Sequence, residues 1–371
     1  MSIPSYPDWA ARLHRVQAAL AALQINALVV SNGTNIFYLT GFAGSAGLLL
    51  ITRDQVRLLV DGRYELVARR AVEGGSMAPV RVDRVDGRYD QALGQTIGWI
   101  APRRVGFEAA HVTVATLRAW QKAAPAPEWI PTDLIVERMR EVKDPFEIAI
   151  LRRGGVLIGE VAAQLPDLVR AGLTERAIAE SIDQAIRAAG FSRPAFDTIV
   201  ASGPNSAHPH AHPGDRPLGS GDLVVLDFGG VIDGYCVDLT RMAAVGLISP
   251  DAHALFDAVS AAHRAAVDAV RPAVETWQVD RAARAVLEAR GLGDAFLHST
   301  GHGLGLEVHE APRVGRADPE APSVLVAGVV FTIEPGAYIE QVGGVRVEDD
   351  VLVTDTGAEL LTTAPRELIA V

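Results

Sequence analysis

Acidic side chains stand inside two otherwise apolar segments that each have the pattern of a β-hairpin. In the first segment, Asp227 and Asp238 lie in arms that flank the turn dipeptide Asp233-Gly234. A turn centred between Ile232 and Asp233 places Asp227 directly opposite Asp238, with both carboxylates on one face. Two buried carboxylates this close repel each other unless cations compensate their charge. The segment therefore indicates a metal site, or a turn-capping aspartate beside a solvated one.

The second hairpin-like segment, 329–353, also carries one acid in each apolar arm. Glu334 precedes Pro335-Gly336, which ends a strand abruptly, and Glu348 lies in the returning arm. Arg346 shares a face with Glu348 by strand periodicity and is a candidate for holding this glutamate in place. Paired acids in both segments favour one shared metal centre.

A histidine between the two hairpins is surrounded by glycines. His302 follows Gly301 and precedes Gly303 and Gly305. Glycine at alternate positions lets another backbone or a ligand approach closely and leaves the imidazole without bulky neighbours. A lone histidine is usually structural, but these glycines and the acids downstream favour a ligand role for His302.

Histidines also gather in a turn-rich loop that carries His208, His210 and His212. Loops on rigid scaffolds commonly supply substrate contacts. His208 and His212 are equally consistent with surface positions or an adventitious metal site. His253 and His263, on a predicted helix, are expected at the surface or in structural roles.

The candidate metal ligands are Asp227, Asp238, His302, Glu334 and Glu348. Their four negative charges are cancelled by two divalent cations, so a metal pair fits better than a single ion. Oxygen ligands favour a hard ion such as manganese over structural zinc, although cobalt, iron and zinc stay compatible. Two such ions activate a shared water for attack on a carbonyl. The set thus predicts a hydrolase and differs from the two-histidine, one-carboxylate set of single-iron oxygenases.

The N-terminal part of the chain predicts a compact α/β unit that carries no cluster of chemical groups. Its pattern gives a helix over 8–23, a buried strand over 27–30, a hairpin from 47–51 and 55–60, and a helix over 63–72. The proline-rich stretch 123–127 is the clearest break in the chain. We therefore expect domains at 1–129 and 130–371.

The C-terminal part predicts helices that alternate with the strand-rich blocks. Asp144-Pro145 reads as an N-cap followed by proline at the first helical position, and opens a helix to about Leu165. Further helices are expected from Thr174 to near Gly190, from Ser249-Pro250 to about Val270, and over 276–290.

Charge and composition exclude several classes of function. A net charge of −11 argues against nucleic acid or an anionic membrane as the main partner. Cys236 is the one cysteine, which suits a reducing compartment. The first twenty residues lack the uninterrupted apolar run of a secretory signal, and no apolar run is long enough to cross a bilayer. We expect a soluble cytoplasmic protein.

These motifs resemble the pita-bread metallopeptidases, specifically the branch of Xaa-Pro aminopeptidases and Xaa-Pro dipeptidases (prolidases). Outside the acidic hairpins, the resemblance rests on 35–42, Asn-Ile-Phe-Tyr-Leu-Thr-Gly-Phe, and 142–148, Val-Lys-Asp-Pro-Phe-Glu-Ile. It implies an α/β (α+β) fold, with an N-terminal creatinase-like domain and a C-terminal catalytic domain of antiparallel sheet and flanking helices. It also implies hydrolysis of the bond between an N-terminal residue and proline, by a bridging hydroxide on two metals, in a homodimer.

The resemblance also implies individual roles for site residues. Asp227 chelates one metal, His302 and Glu334 bind the other, Asp238 and Glu348 bridge both, and Glu334 is also the general base. His210 and His309 are implied to contact substrate carbonyls and to assist the departing nitrogen. The implied substrate-binding residues are His210, His309, Arg313, Arg346 and Tyr235.

Three alternatives stay open on these residues. Creatinase-like enzymes use the same fold without metals on another C–N bond, and an inactive member of the fold acts only as a binding protein. Methionine aminopeptidase leaves the long N-terminal domain unexplained. Within the proline branch, Arg313 as a partner for a free carboxylate favours the dipeptidase over the aminopeptidase.

Overall fold

The structure, a computed structural model, describes residues 6–319 and 322–371. The chain divides into two compact units, of which one ends at Arg140 and the other begins at Glu141. The boundary thus lies eleven residues after the predicted position at Trp129, which falls inside an edge strand of the first unit. The prolines at 125 and 127 mark a loop between a helix and that strand rather than a domain border.

The first unit is built on one mixed sheet of six strands in the order β4-β3-β2-β1-β5-β6. The predicted first helix, first strand and first hairpin are all present, and Asp8 caps the first helix by accepting from Ala11 N. The strands are β1 Ala27–Val30, β2 Leu48–Thr52, β3 Val56–Asp61, β4 Arg81–Val85, β5 Arg104–Glu108 and β6 Glu128–Thr132. The helices are α1 Trp9–Ala22, α2 Gly33–Thr40, α3 Glu65–Glu73, α4 Tyr89–Ile100, α5 Val114–Ala123 and α6 Ile135–Glu141.

The second unit combines five α-helices with three sheets among its described residues. The helices are α7 Pro145–Ala162, α8 Leu165–Leu168, α9 Glu175–Ala188, α10 Pro250–Ala269 and α11 Thr276–Glu288. The strands are β7 Arg193–Pro194, β8 Ile199–Ser202, β9 Leu223–Ile232, β10 Tyr235–Ala244, β11 Gly301–Gly303, β12 Glu310–Val314, β13 Val330–Ile333, β14 Gly336–Ile339, β15 Gly343–Arg346, β16 Asp349–Val353, β17 Ala358–Leu360 and β18 Ile369–Ala370.

Two of these sheets carry the predicted hairpins. In the first, the order is β18-β10-β9-β7, with β8 also paired to β9, and in the second it is β12-β11-β13-β16-β17. The strands β14 and β15 form a separate two-stranded ladder. All pairings in this unit are antiparallel except that of β10 with β18.

Local capping signals place the helices of this unit close to their predicted bounds. Asp144 accepts from Phe146 N and Glu147 N at 3.0 Å, so the predicted N-cap of α7 is confirmed. The helix ends at Ala162 rather than Leu165, and a separate short helix, α8, begins at Leu165 with Pro166 in its first turn.

The sheet of β9 and β10 separates two apolar cores. Side chains of alternate residues, such as Phe228 and Val237, pack with α7 and α9 in one core. The other face contributes Val225 and Met242 to the core that contains residues of α10 and α11. Because side chains alternate along a strand, Asp227 lies on the second face, in line with Val225. The described residues include no helix that is long and apolar enough to cross a membrane.

Candidate metal centre

The first acidic hairpin has a register different from the predicted one. Asp233 and Gly234 both have positive φ, 49° and 89°, and together form the two-residue turn. As a result, Asp227 pairs with Thr240 and Asp238 with Gly229, so the predicted direct opposition of the two aspartates is wrong. The turn centre moves by one residue and the pairing by two, which keeps both aspartates on one face.

The second acidic hairpin brings its glutamates opposite each other at a break between strands. Ile333 pairs with Asp349 and Gly336 with Arg346, so the register between these pairs places Glu334 opposite Glu348. Neither glutamate belongs to a regular strand. The break frees both side chains from the pleat and lets them point towards the first hairpin's aspartates.

The strand that carries His302 depends on its glycines. A Cβ at Gly301 would lie 1.8 Å from Thr332 O, and one at Gly303 would lie 2.1 Å from Ala311 O. The predicted close approach of neighbouring backbone is therefore confirmed. The His302 ring Nδ1 lies 3.1 Å from the carbonyl oxygen of Gly303. Since a carbonyl only accepts, Nδ1 carries the proton and Nε2 keeps a free lone pair.

A cavity of about 500 Å³ collects all five predicted ligands. Ligand atoms of Asp238, His302 and Glu348 lie within 4.8 Å of one another. The Oε1 atom of Glu334 lies 3.3 Å from His302 Nε2. The cavity is lined by Phe196, Asp197, Ile199, Pro209, His210, Ala211, His212, Asp227, Asp238, His298, Ser299, Gly301, His302, Val308, His309, Arg313, Glu334, Arg346 and Glu348.

Tyr235, predicted to bind substrate, lies outside this cavity. The ring is 2% exposed in the core shared with α7, and its hydroxyl is 3.1 Å from Glu147 Oε1. Tyr235 stands three positions before Asp238, and an odd spacing along a strand places two side chains on opposite faces. The prediction of a substrate contact for Tyr235 is wrong for this reason.

Burial makes the charged forms of these acids costly unless positive charge lies nearby. Burial and the neighbouring Glu348 and Asp227 carboxylates raise the pKa of Asp238 well above its ordinary value. Burial likewise raises the pKa of Glu348 well above its ordinary value, and that of Glu334 to about 7. Among the described residues, Asp227 Oδ1 and Asp238 Oδ1 are buried without a hydrogen-bond partner. Divalent cations would neutralise these charges and take up the unpartnered oxygens, so the residues fit a metal site.

Arg346 contacts Asp227 rather than Glu348, the glutamate predicted as its partner. Its Nη2 donates to Asp227 Oδ2, its Nε to Thr240 Oγ1 at 3.2 Å, and its Nη1 to the Tyr338 hydroxyl at 3.0 Å. The Thr240 hydroxyl in turn donates to Glu348 Oε2 at 2.5 Å. The link from Arg346 to Glu348 therefore runs through Thr240. Donors occupied in this way favour a positioning role for Arg346 over the predicted contact with substrate.

His298 and Tyr338 belong to the same network and were not predicted. His298 Nδ1 lies 2.8 Å from Ser299 O and so carries the proton, which leaves Nε2 to accept from the Tyr338 hydroxyl at 2.9 Å. Burial lowers the pKa of His298 to about 4, in accord with a neutral ring. His298 stands four residues before His302, but a single histidine in a polar segment gave no signal of its own.

The predicted substrate residues His210, His309 and Arg313 all line the cavity. The His309 ring centroid is 4.3 Å from that of His302, and burial lowers the pKa of His309. Arg313 is opposite His302 in the ladder and donates to Ser299 Oγ at 2.8 Å. These three polar side chains therefore line the same cavity as the four acids and His302.

The remaining histidines divide between cavity, surface and core. His212 lines the cavity, whereas His208 is exposed and absent from the cavity lining. His253 is exposed on α10, and His263 is buried with Nε2 3.1 Å from Asp349 Oδ2. The last two positions agree with the predicted surface and structural roles.

Family profiles match both units of the chain. Residues 149–355 match metallopeptidase family M24, and residues 12–142 match the Creatinase/Prolidase N-terminal domain. The chain belongs to metallopeptidase family M24. The predicted membership and fold are thus confirmed, and M24 membership implies divalent metal ions at the cavity.

Relatives of this M24 chain include enzymes of both proline-specific kinds. It is 32% identical to the Xaa-Pro dipeptidase of Pyrococcus furiosus over 96% of this chain and 99% of that protein. The structure of the Xaa-Pro dipeptidase from Bacillus anthracis superposes with a TM-score of 0.93 at 31% identity, covering 98% of this chain and 100% of the other. The structure of the X-Pro aminopeptidase from Thermotoga maritima superposes with a TM-score of 0.87 at 32% identity, covering 95% of this chain and 100% of the other.

Proposed function

We propose that this M24 peptidase cleaves the bond between an N-terminal residue and a following proline. The observation that carries the proposal is the convergence of four carboxylates and one imidazole on a single cavity, with two buried carboxylate oxygens left without a partner. The proline-specific relatives support the choice of substrate.

The proposed ligands hold two divalent cations, with manganese favoured by the oxygen-rich set. They are Asp227, Asp238, His302, Glu334 and Glu348. When bound, the cations supply an activated water and polarise the scissile carbonyl. Glu334 is the proposed general base, because its carboxylate lies in the cavity, with Oε1 3.3 Å from His302 Nε2.

The proposed substrate contacts suit a bond to proline. The nitrogen of this bond is part of a ring and has no N–H, so recognition cannot use a strand-like hydrogen bond from it. His210 and His309 line the cavity and would contact carbonyl oxygens instead, and one of them would protonate the departing nitrogen. Cavity residues Phe196 and Ile199 offer apolar surface for the ring.

Arg313 is the proposed partner of a free carboxylate beyond proline, which makes dipeptides the favoured substrates. Its side chain is exposed to the cavity and is oriented through Ser299. The test compares kcat/KM for Ala-Pro and Ala-Pro-Ala before and after Arg313→Ala, with exposed Arg316→Ala as the matched control. A selective loss for Ala-Pro supports the dipeptidase, and equal losses for both peptides support the aminopeptidase.

A parallel assay with Ala-Ala separates the proline-specific enzyme from other possibilities. We expect the metal-loaded protein to cleave Ala-Pro and to leave Ala-Ala nearly untouched. Loaded protein that cleaves neither peptide would favour an inactive binding protein or a creatinase-like reaction. We further propose that the enzyme is a homodimer and that its substrates are small peptides. Light scattering on the purified protein would check the oligomeric state.

A further inference from the structure

One buried carboxylate holds both ends of the histidine loop. Glu175, the first residue of α9, is 0% exposed. Its Oε1 accepts from Ser202 N at 2.8 Å and from Ser202 Oγ at 2.7 Å, and its Oε2 accepts from Gly214 N at 3.1 Å. Ser202 and Gly214 flank residues 203–213, which include His210. The two ends of this loop are therefore bound to the same side chain.

The first part of the loop has further fixed points. Asn205 Nδ2 lies 3.0 Å from Glu175 Oε1 and 3.1 Å from Oε2. Ser206 Oγ accepts from Gly344 N at 2.9 Å, and Arg346 Nη1 donates to Pro209 O at 3.3 Å. The loop thus reaches the cavity directly after a segment that Glu175 and its neighbours hold in place.

A carboxylate is required at this position because every group that faces it is a donor. Glutamine of the same size has one accepting oxygen and one donating NH₂. Whichever way the amide turned, the NH₂ would face either the Ser202 donors or the Gly214 N–H, and that end of the loop would be released. The negative charge also suits the N-terminus of α9, because the helix dipole favours an anion there.

We propose that Glu175 is a positioning residue that fixes His210 at the substrate cavity through the ends of loop 203–213. Its consequence for turnover rests on the proposed peptidase function. Small displacements of a group that contacts the reacting atoms cost large factors in rate, so a released loop end slows the reaction although Glu175 touches no substrate.

The test compares Glu175→Gln with Glu180→Gln, an exposed position on the same helix. We expect Glu175→Gln to lower kcat/KM for Ala-Pro by about 10- to 100-fold, with metal content unchanged. Amide hydrogen exchange in peptides covering 203–214 should become faster in this variant alone. In a His210→Ala background, Glu175→Gln should change kcat/KM by less than about twofold, because both act through one group.

Two results would overturn the proposal. One is unchanged exchange in the loop of Glu175→Gln, and the other is an equal loss of activity with and without His210. If Glu175→Gln fails to fold, Asn205→Ala removes one donor, and we expect smaller changes in the same direction. A wild-type chain that does not cleave Ala-Pro would refute the proposed function, whereas the exchange comparison would still test Glu175.

Discussion

Replacing Asp238 by asparagine should stabilise the metal-free protein and weaken its response to metal. Ligand atoms of Asp238 and Glu348 lie within 4.8 Å of each other. At that separation two charges repel by about 3.5 kcal/mol at an effective dielectric constant near 20. Protonation of one acid lowers this cost, so we expect Asp238→Asn to raise the free energy of unfolding by about 1–3 kcal/mol at pH 8 without metal.

The assay is thermal or urea unfolding of wild type and variant, each with chelator and with excess Mn²⁺. Wild type should gain about 4 kcal/mol when metal is present at a thousand times its Kd, and Asp238→Asn should gain much less. Asp349→Asn is the contrasting control, because Asp349 is 0% exposed and its Oδ1 lies 2.8 Å from Arg241 Nη2. Its loss leaves the buried Arg241 without its carboxylate partner and should cost about 3–5 kcal/mol with or without metal.

Destabilisation of the metal-free protein by Asp238→Asn would refute this reasoning. It would mean that the Asp238 carboxylate contributes favourable contacts that outweigh its repulsion by neighbouring acids. A metal response equal to that of wild type would equally contradict the assignment of Asp238 as a ligand.

Three further predictions concern the same centre. Burial raises the pKa of Glu334 from its ordinary 4.5 to about 7 in the folded metal-free protein. Protonated Glu334 therefore adds to the free energy of unfolding at low pH, and this contribution is lost as the pH rises from about 4.5 to 7. Urea titrations should show that loss in wild type but less of it in Glu334→Gln, and Mn²⁺ affinity should fall below pH 7. Tyr338→Phe removes a partner of Arg346 and should weaken Mn²⁺ binding about tenfold by calorimetry, whereas unchanged affinity would exclude the network from ligand positioning. Gly303→Ala should cost about 2 kcal/mol or more in urea unfolding, because its Cβ meets Ala311 O, and a neutral effect would show that the strands separate easily.

The five predicted ligands line one cavity, and they could be picked out from the sequence because their positions violate the local pattern. An acid such as Asp227 inside an apolar strand is costly to bury without a specific role. A second acid, Asp238, in the next apolar strand makes a chance occurrence less plausible. The exact register was harder to predict, because the choice between turns centred before or after Asp233 depends on backbone dihedrals. The prediction that both aspartates lie on one face was still correct, because the pairing moved by two residues.

Residues that act through hydrogen bonds to the ligands left weaker traces in the sequence. Thr240 and Tyr338 are ordinary strand residues, and only the fold shows that Thr240 connects Arg346 to Glu348 and that Tyr338 connects it to His298. The sequence pattern already argues against a substrate contact for Tyr235, because its odd spacing from Asp238 places the two side chains on opposite faces of the strand. The predicted domain boundary differs from the division after Arg140 for another reason. Prolines indicate a local break in regular structure, but they do not show how many contacts cross that break.

Metal stoichiometry tests the central claim most directly. The protein is stripped with chelator, reloaded with Mn²⁺ and desalted, and its metal content is measured by elemental mass spectrometry. We expect close to two ions per chain. Glu348→Gln, which removes a proposed bridging ligand, should retain one ion or none. Wild type that binds no metal, or a Glu348→Gln variant that still binds two ions, would contradict the assignment of these five side chains as a metal centre.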